Sequence, residues 1–230
     1  AWLEDEASFD KSRLDFSTVV NSSHSEDPLV GKILFGTYKI ENIVGKGAMG
    51  IVYKARHMAF ERDVAMKTLR VESPDISERF AREVRVHARL KHENIVEAID
   101  CLVAPTGQTF FVMEYLEGVE LEALVKTREL LERPFDLAKI AIQICHALEH
   151  AHGKGIIHRD LKPGNIILVE ENGGYKVKIV DFGIAKIQEE VQRLTKTGHA
   201  LGSPLYMSPE QCMGKQVDAR SDIYSLGILL

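Results

Sequence analysis

The feature that most constrains this chain is a charged loop, HRDLKPGN at positions 158–165, which lies between short apolar runs at 156–157 and 166–168. A proline and a glycine favour a turn, and the apolar flanks would bury its two ends. A second polar motif, DFG at positions 181–183, follows another apolar run. Loops beside strands can bring carboxylate and amide oxygens together, and Mg²⁺ prefers such ligands with phosphate oxygens. The residues expected to meet at this site are Asp160, Asn165 and Asp181.

The first loop matches H-R-D-L-x-x-x-N at every fixed position, and together with the DFG it resembles the catalytic and metal-binding loops of protein kinases. The resemblance implies that Asp160 accepts the proton of the substrate hydroxyl and that Asn165 and Asp181 hold the metal ions. It also implies that Lys162 contacts the γ-phosphate of ATP. This lysine and the proline after it are typical of serine/threonine kinases rather than tyrosine kinases. Arg159 beside the catalytic Asp suggests regulation by loop phosphorylation, since arginine can pair bidentately with phosphate.

Composition indicates an ordinary globular protein with enough residues for a large core. The chain has 230 residues, of which 45% are hydrophobic and 27% charged. A net charge of −5 and a pI near 6.0 argue against nucleic-acid binding through overall charge.

The cysteines and the lack of targeting signals indicate in which cellular compartment the domain works. The three widely spaced cysteines, Cys101, Cys145 and Cys212, are expected to be free thiols in a reducing compartment. The sequence has neither an apolar run of about 18 residues nor the plan of a signal peptide. We therefore expect a cytoplasmic domain without evident membrane association. Because the chain begins with Ala and stops within an apolar segment at 227–230, we expect it to be a C-terminally truncated piece of a longer protein.

The order of predicted elements indicates an α+β protein with two lobes, a small antiparallel sheet with one helix and then a larger, mainly helical lobe. Residues 1–32 are rich in Ser, Asp and Glu, which predicts a flexible linker or tail, with a partner-docking segment as the alternative. The expected domain is 33–230, with a small lobe at 33–113, a hinge at 114–118 and a partial large lobe at 119–230. Strands are predicted near 38–44, 51–55, 64–69, 95–96 and 110–113, and helices near 74–90, 120–131, 136–152 and from 218.

A glycine-rich stretch at 45–52 matches G-x-G-x-x-G-x-V. Glycines permit close backbone approach to phosphates. A dinucleotide-binding oxidoreductase would need a helix directly after this motif, whereas the sequence continues as a strand. The kinase resemblance therefore assigns ATP contacts to Gly45, Lys46, Gly47, Gly50 and Val52.

The strand at 64–67 resembles the one that carries the ATP-pairing lysine of kinases, here Lys67. Glu83 shares the apolar face of its predicted helix, and an inward carboxylate needs a cationic partner. We expect Lys67 to be that partner; a local pair with Arg79 or His87 is the alternative. His87 stands where the family usually has an aliphatic residue, which suggests a weaker or pH-sensitive active arrangement.

The segment at 113–118, MEYLEG, resembles the kinase hinge. The resemblance implies that Met113 lines the back of an adenine pocket and that backbone groups of Glu114 and Leu116 bond the adenine edge. Side chains expected to enclose the adenine ring are Val52, Ala65 and Ile167.

The stretch between the DFG and Glu210 resembles an activation segment. Thr195 and Thr197 are the predicted phosphorylation sites, with ordinary loop threonines as the alternative. Ser203 would lie beside the catalytic Asp. Asp222, near the start of the last predicted helix, would anchor the backbone of the catalytic loop.

Histidines at 146, 150 and 152 form a cluster, and the first two have the i, i+4 spacing of a metal-binding pair. No acidic motif accompanies them, so we interpret them as part of the helix before the catalytic loop.

The combined motifs predict a serine/threonine protein kinase that uses ATP and Mg²⁺, acts on Ser or Thr of proteins and phosphorylates its own loop. Similarity to bacterial kinases rests on GTYKI at 36–40 and YMSPEQ at 206–211. A non-catalytic pseudokinase is the rival interpretation. It is opposed by the retention of Lys67, Glu83, Asp160, Asn165 and Asp181.

Overall fold

A computed structural model of the chain describes residues 27–47, 50–69, 74–128, 134–182 and 204–230. Its strands are β1 (Ile33–Leu34), β2 (Tyr38–Lys46), β3 (Gly50–His57), β4 (Arg62–Leu69), β5 (Ala98–Val103), β6 (Thr109–Glu114), β7 (Val119–Glu120), β8 (Ile166–Glu171) and β9 (Gly174–Ile179). Its α-helices are α1 (Pro74–His87), α2 (Leu121–Thr127), α3 (Pro134–Gly153), α4 (Pro209–Cys212) and α5 (Ala219–Leu229).

The small lobe is an antiparallel sheet in the order β1-β2-β3-β4-β6-β5, with α1 packed on one face. Strand β6 is interior, and its side chains are buried on both faces. Phe111 and Met113 join the apolar cluster that includes α1, whereas Phe110 and Val112 join the cluster on the other face. This packing fixes the register that sets Lys67 opposite Phe111.

The large lobe is built around α3, whose buried residues recur at helical spacing. They pack with β8 and β9, two strands of a small sheet ordered β7-β8-β9, and with Leu226 of α5. The buried positions of α3 are Ile140, Ile144, Ala147, Leu148 and Ala151.

The predicted two-lobed α+β arrangement is confirmed. The strands predicted near 38–44, 51–55 and 64–69 are present as β2, β3 and β4, and the helices predicted near 74–90 and 136–152 as α1 and α3. The prediction of a strand at 95–96 is wrong. Asn94 lies between α3 and β9, donating 2.8 and 3.0 Å hydrogen bonds to the Gln143 side chain and the Val177 carbonyl. The next residues consequently bond to the strand that leads to Asp181, with the Val96 N–H 3.0 Å from the Ile179 carbonyl, and β5 begins only at Ala98.

Several sequence-based predictions fall outside the described residues, namely the tail before position 27, the tip of the glycine-rich loop at 48–49, and Thr195, Thr197 and Ser203. Within the described ranges, no helix combines the length and the apolar character that a membrane crossing requires.

Candidate active site

The side chain of Asp222 holds the backbone of the predicted catalytic loop in place by hydrogen bonds. This fully buried carboxylate accepts hydrogen bonds of 2.8 Å from the N–H groups of His158 and Arg159 and one of 2.7 Å from the His152 ring. Burial acts to raise the pKa of Asp222, but these hydrogen bonds and the nearby histidines outweigh it, so that its pKa lies below the ordinary value. The predicted anchoring role of Asp222 is confirmed by these contacts.

Two residues of the site have left-handed backbone conformations, Arg159 with φ of 70° and Asp181 with φ of 64°. Such geometry costs a non-glycine residue about 1–3 kcal/mol and persists only where surrounding contacts impose it. At Arg159 those contacts are the Asp222 carboxylate on its N–H and the Gln211 side-chain amide, 2.6 Å from its carbonyl.

The loop brings three predicted catalytic side chains into one hydrogen-bonded group. The Asp160 carboxylate accepts from the Lys162 ammonium at 2.7 Å and from the Asn165 amide at 3.1 Å. The same amide donates to the Asp160 carbonyl at 2.7 Å. The Asp160 carboxylate is therefore held by two donors from its own loop, with only 12% of the side chain exposed.

His158 connects this loop to the residues before Asp181. Its Nδ1 accepts from the Asp160 N–H at 3.2 Å, which leaves Nε2 to donate to the Val180 carbonyl at 2.9 Å. The Val180 N–H in turn donates to the Asn165 carbonyl at 3.0 Å. The two loops singled out in the sequence are therefore joined by hydrogen bonds on both sides of Val180.

Lys67 of β4 extends across to the second loop, and its ammonium lies 2.7 Å from both carboxylate oxygens of Asp181. Burial acts to raise the pKa of Asp181, but the charge and hydrogen bonds of Lys67 outweigh it and leave the pKa below its ordinary value. Asp181 is therefore ionised at neutral pH.

The expected Lys67–Glu83 ion pair is not formed between these two described residues, and the prediction is corrected on this point. Among the described side chains of α1, Phe80, Ala81, Val84 and His87 are buried, whereas Glu83 is only partly buried. A carboxylate that still reaches water can remain hydrated, so the argument that burial forces Glu83 to pair with Lys67 does not apply here.

His87, at the end of α1, is buried between aromatic rings and donates from Nε2 to the Val96 carbonyl at 3.0 Å. Its ring centroid lies 5.4 Å from that of Phe111 and 6.2 Å from that of Phe182. Burial lowers the pKa of His87, the Val96 hydrogen bond opposing this effect only in part, so the neutral ring is favoured.

A cavity of about 410 Å³ lies between the lobes beside this group. Nine of the predicted cofactor-binding residues line it: Gly45, Val52, Ala65, Lys67, Met113, Glu114, Leu116, Ile167 and Asp181. The predicted residues Lys46, Gly47, Gly50 and Glu83 do not line it in this structure.

The cavity walls include residues that the sequence-based interpretation missed, among them Val44, Val180 and Glu120. Val180 directly precedes Asp181, and that position could have suggested its role. Gly118, also in the wall, has a structural reason: a Cβ there would lie 2.5 Å from the Leu168 carbonyl oxygen, so a side chain would prevent the hinge from packing on β8.

The clustered histidines have separate surroundings. His152 bonds to Asp222, while the His150 ring lies 5.1 Å from that of His92. Among the described residues, no group of three or more His, Cys, Asp or Glu side chains is arranged to hold a metal ion.

Residues 38–230 match the model of the protein kinase domain family, and the chain belongs to that family. Curated relatives of the chain are named as serine/threonine-protein kinases, the class that the resemblance of its loops implied. It is 39% identical over 211 residues to the serine/threonine-protein kinase pkn3 of Myxococcus xanthus, a match that covers 89% of this chain and 38% of that protein. It is 40% identical over 199 residues to the serine/threonine-protein kinase PknB of Mycobacterium leprae, covering 84% of this chain and 31% of the relative. The chain thus spans between about three and four tenths of the length of these two relatives.

The fold agrees with that of a solved kinase domain. The crystal structure of the Mycobacterium tuberculosis PknI kinase domain superimposes with a TM-score of 0.61 at 30% sequence identity. The alignment covers 86% of this chain and 74% of that domain.

Proposed function

We propose that this domain transfers the γ-phosphate of ATP to serine or threonine hydroxyls of proteins through the side chains of the two hydrogen-bonded loops. The observation that carries the proposal is the hydrogen bonding on both sides of Val180, which joins the loop of Asp160 and Asn165 to Asp181. Phosphoryl transfer depends mainly on positioning and on charge stabilisation, and a rigid pair of loops supplies the first of these.

The cavity between the lobes is the proposed ATP site. Val52 and Ala65 line it from the small lobe and Ile167 from the large lobe, so an adenine ring would lie between apolar side chains. The Glu114 N–H already donates to the Glu97 carbonyl at 3.0 Å, and we therefore assign the adenine contact at this residue to its own carbonyl. Leu116 supplies further backbone groups, while Lys67 is the cation for the α- and β-phosphates. The glycine-rich stretch of Gly45, Lys46, Gly47 and Gly50 would close over the phosphates.

The residues present suit a magnesium ion that arrives with ATP. Asn165 and Asp181 offer an amide oxygen and an ionised carboxylate on adjoining loops, and Mg²⁺ bound to nucleotides takes few protein ligands because phosphates and waters complete its shell. Each Asp181 oxygen accepts from Lys67 in this structure and keeps a further lone pair that a metal ion could take. When bound, the ion would neutralise charge on the transferring phosphate.

Asp160 and Lys162 have complementary roles in the proposal. The carboxylate of Asp160 would accept the hydrogen of the attacking hydroxyl and orient it for in-line attack. Lys162, whose ammonium lies 2.7 Å from that carboxylate, would contact the γ-phosphate and balance its charge.

The partners and setting follow from this chemistry. Protein segments that carry Ser or Thr are the proposed substrates, and Thr195 and Thr197 of the chain itself are proposed autophosphorylation sites. The requirement for ATP and the three free cysteines suit work in the cytoplasm.

Intact mass after incubation with Mg·ATP tests the proposal, with Asp160→Asn as the control. We expect phosphate on the unmodified chain, mapped to Thr195 or Thr197, and none on the variant. A chain that binds nucleotide without transferring phosphate to itself or to a generic protein substrate would instead support a pseudokinase. Equal phosphorylation of both chains would remove Asp160 from its proposed role.

A further inference from the structure

The side chain of Glu114 links the two lobes directly behind the proposed ATP site. Glu114 is the last residue of β6, and its carboxylate oxygen Oε1 lies 2.6 Å from the ammonium of Lys178 in β9. The same oxygen accepts from the Glu97 N–H at 2.7 Å. One carboxylate therefore holds groups from both lobes.

The small-lobe end of this contact is firmly attached. The Glu97 N–H donates to the Glu114 carboxylate, while the Glu114 N–H donates to the Glu97 carbonyl at 3.0 Å. These reciprocal bonds fix the carboxylate relative to the residues just before β5. Rotation of Glu114 away from Lys178 would break the first of them.

The large-lobe end is tied to the catalytic residues. Lys178 lies three positions before Asp181 on the strand that pairs with β8. Its position is held by its strand neighbours, because Ile179 donates to the Asn94 carbonyl at 2.9 Å. A displacement of β9 away from the hinge would therefore stretch the contact between Lys178 and Glu114.

The pair is better shielded from water than other ion pairs on this strand. The side chains of Lys178 and Glu114 are 14% and 26% exposed. Lys176, two residues earlier on β9, is 32% exposed and lies 3.6 Å from Glu171 and 3.9 Å from Glu93. A short, charge-assisted bond in a partly dehydrated setting is stronger than an exposed pair.

We propose that Glu114 and Lys178 form an interlobe clamp that holds the two walls of the cavity at the spacing needed for nucleotide binding, which makes both of them positioning residues. The inference rests on the proposed function, because it takes the cavity as the ATP site. Apparent affinity equals intrinsic affinity multiplied by the fraction of molecules in the binding-competent arrangement. A clamp that raises this fraction strengthens nucleotide binding and leaves the transfer step almost unchanged once nucleotide is bound.

The test compares Lys178→Met, Glu114→Gln and their double variant in the 230-residue chain, with Lys178→Arg as the conservative variant. Lys176→Met is the matched control, since it removes a lysine from the same strand without touching Glu114. The Kd for a fluorescent methylanthraniloyl-ATP is measured by titration, and kcat and the KM for ATP are measured with a generic protein substrate. Thermal unfolding without nucleotide reports stability separately.

We expect each single variant to weaken probe binding and raise the KM for ATP about three- to tenfold, with kcat changed by about twofold or less. The double variant should bind the probe no more weakly than the weaker-binding single variant, because each single substitution already removes the same contact. Lys178→Arg should restore most of the affinity, and Lys176→Met should match the unmodified chain within about twofold.

The clamp proposal would be overturned if Lys178→Met lowered thermal stability but left the Kd for the probe unchanged. It would also be overturned if the fold-increase in Kd of the double variant equalled the product of the two single fold-increases. If Lys178→Met does not fold, Lys178→Gln takes its place and the same criteria apply. Failure of the unmodified chain to bind the probe would overturn the proposed ATP site instead, so the two failures are distinguishable.

Discussion

The ammonium of Lys67 lies 2.7 Å from both carboxylate oxygens of Asp181, so a strand of the small lobe and the loop after β9 are joined by a buried ion pair. The lysine side chain is 8% exposed. Lys67 and Asp181 both line the cavity between the lobes. In the proposed function this cation therefore serves both the carboxylate proposed as a metal ligand and the phosphates of ATP.

Replacement of Lys67 by Met removes the cation and should lower kcat roughly a hundredfold or more, the loss typical when one group that stabilises transition-state charge is removed. Phosphoryl transfer to a generic protein substrate measures it. Lys54→Met is the control, since Lys54 pairs with Asp63 on the outer part of the sheet and should leave kcat unchanged. Retention of a third of the rate by Lys67→Met would contradict the assignment.

Removal of the Asp222 carboxylate should destabilise the domain by about 2–5 kcal/mol, because two buried N–H groups of the catalytic loop lose their acceptor. Urea unfolding of Asp222→Ala measures the change. Asp218→Ala, at the N-cap of the same helix, should cost less because that side chain is exposed. Equal losses for the two variants would show that Asp222 acts only as part of the helix.

His87 should make stability depend on pH just below neutrality. Its pKa in the folded chain lies below the ordinary value of 6.5, so between these two pKa values the unfolded chain takes up a proton that the folded chain does not. This contribution is fully present above pH 6.5 and declines as the pH falls below it.

Unfolding free energies of the unmodified chain and of His87→Leu, measured between pH 8 and about pH 5, check this expectation. His87→Leu should lose part of the slope of unfolding free energy against pH. The pKa of His92 is also lowered by burial, so His92→Gln shows how much of the slope comes from another such histidine. The sequence-based hypothesis of a pH-sensitive active arrangement stays a prediction: kinase rate against pH for His87→Leu tests it, and identical rates and profiles would end it.

Addition of a methyl group at Gly118 should destabilise the domain by about 1–3 kcal/mol and weaken nucleotide binding. The new Cβ would meet the Leu168 carbonyl oxygen at 2.5 Å and Ile167 Cγ2 at 2.9 Å, so the hinge has to separate from β8. Thermal unfolding and probe titration of Gly118→Ala measure both effects. Gly153→Ala, where nothing lies within 4 Å of the added atom, should be neutral or stabilising.

The residue types of the site could be predicted because each motif is short and local. A charged turn between apolar runs holds Asp160, Lys162 and Asn165 within six residues, and their mutual hydrogen bonds follow from that proximity. The strands β2 to β4 were likewise predictable to within two residues at each end, since alternating apolar residues and turns specify them locally.

Contacts between distant segments were predicted less well. The Asn94 side chain, which moved the start of β5, acts through partners 49 and 83 residues away, and no periodicity signals them. The interlobe contact between Glu114 and Lys178 spans 64 residues and appears in the sequence only as two ordinary charged positions.

The family, the two-lobed plan and the set of polar residues that meet beside the cavity could all be predicted from the sequence, because motif spacing and apolar patterning are encoded in neighbouring positions. Only the tertiary structure decided which partner each charged group takes. Lys67 is paired with Asp181, whose backbone is left-handed, although the sequence had suggested Glu83 as its partner. Ion-pair energy falls with distance and with exposure to water, and both are set by packing between the lobes rather than by the order of residues.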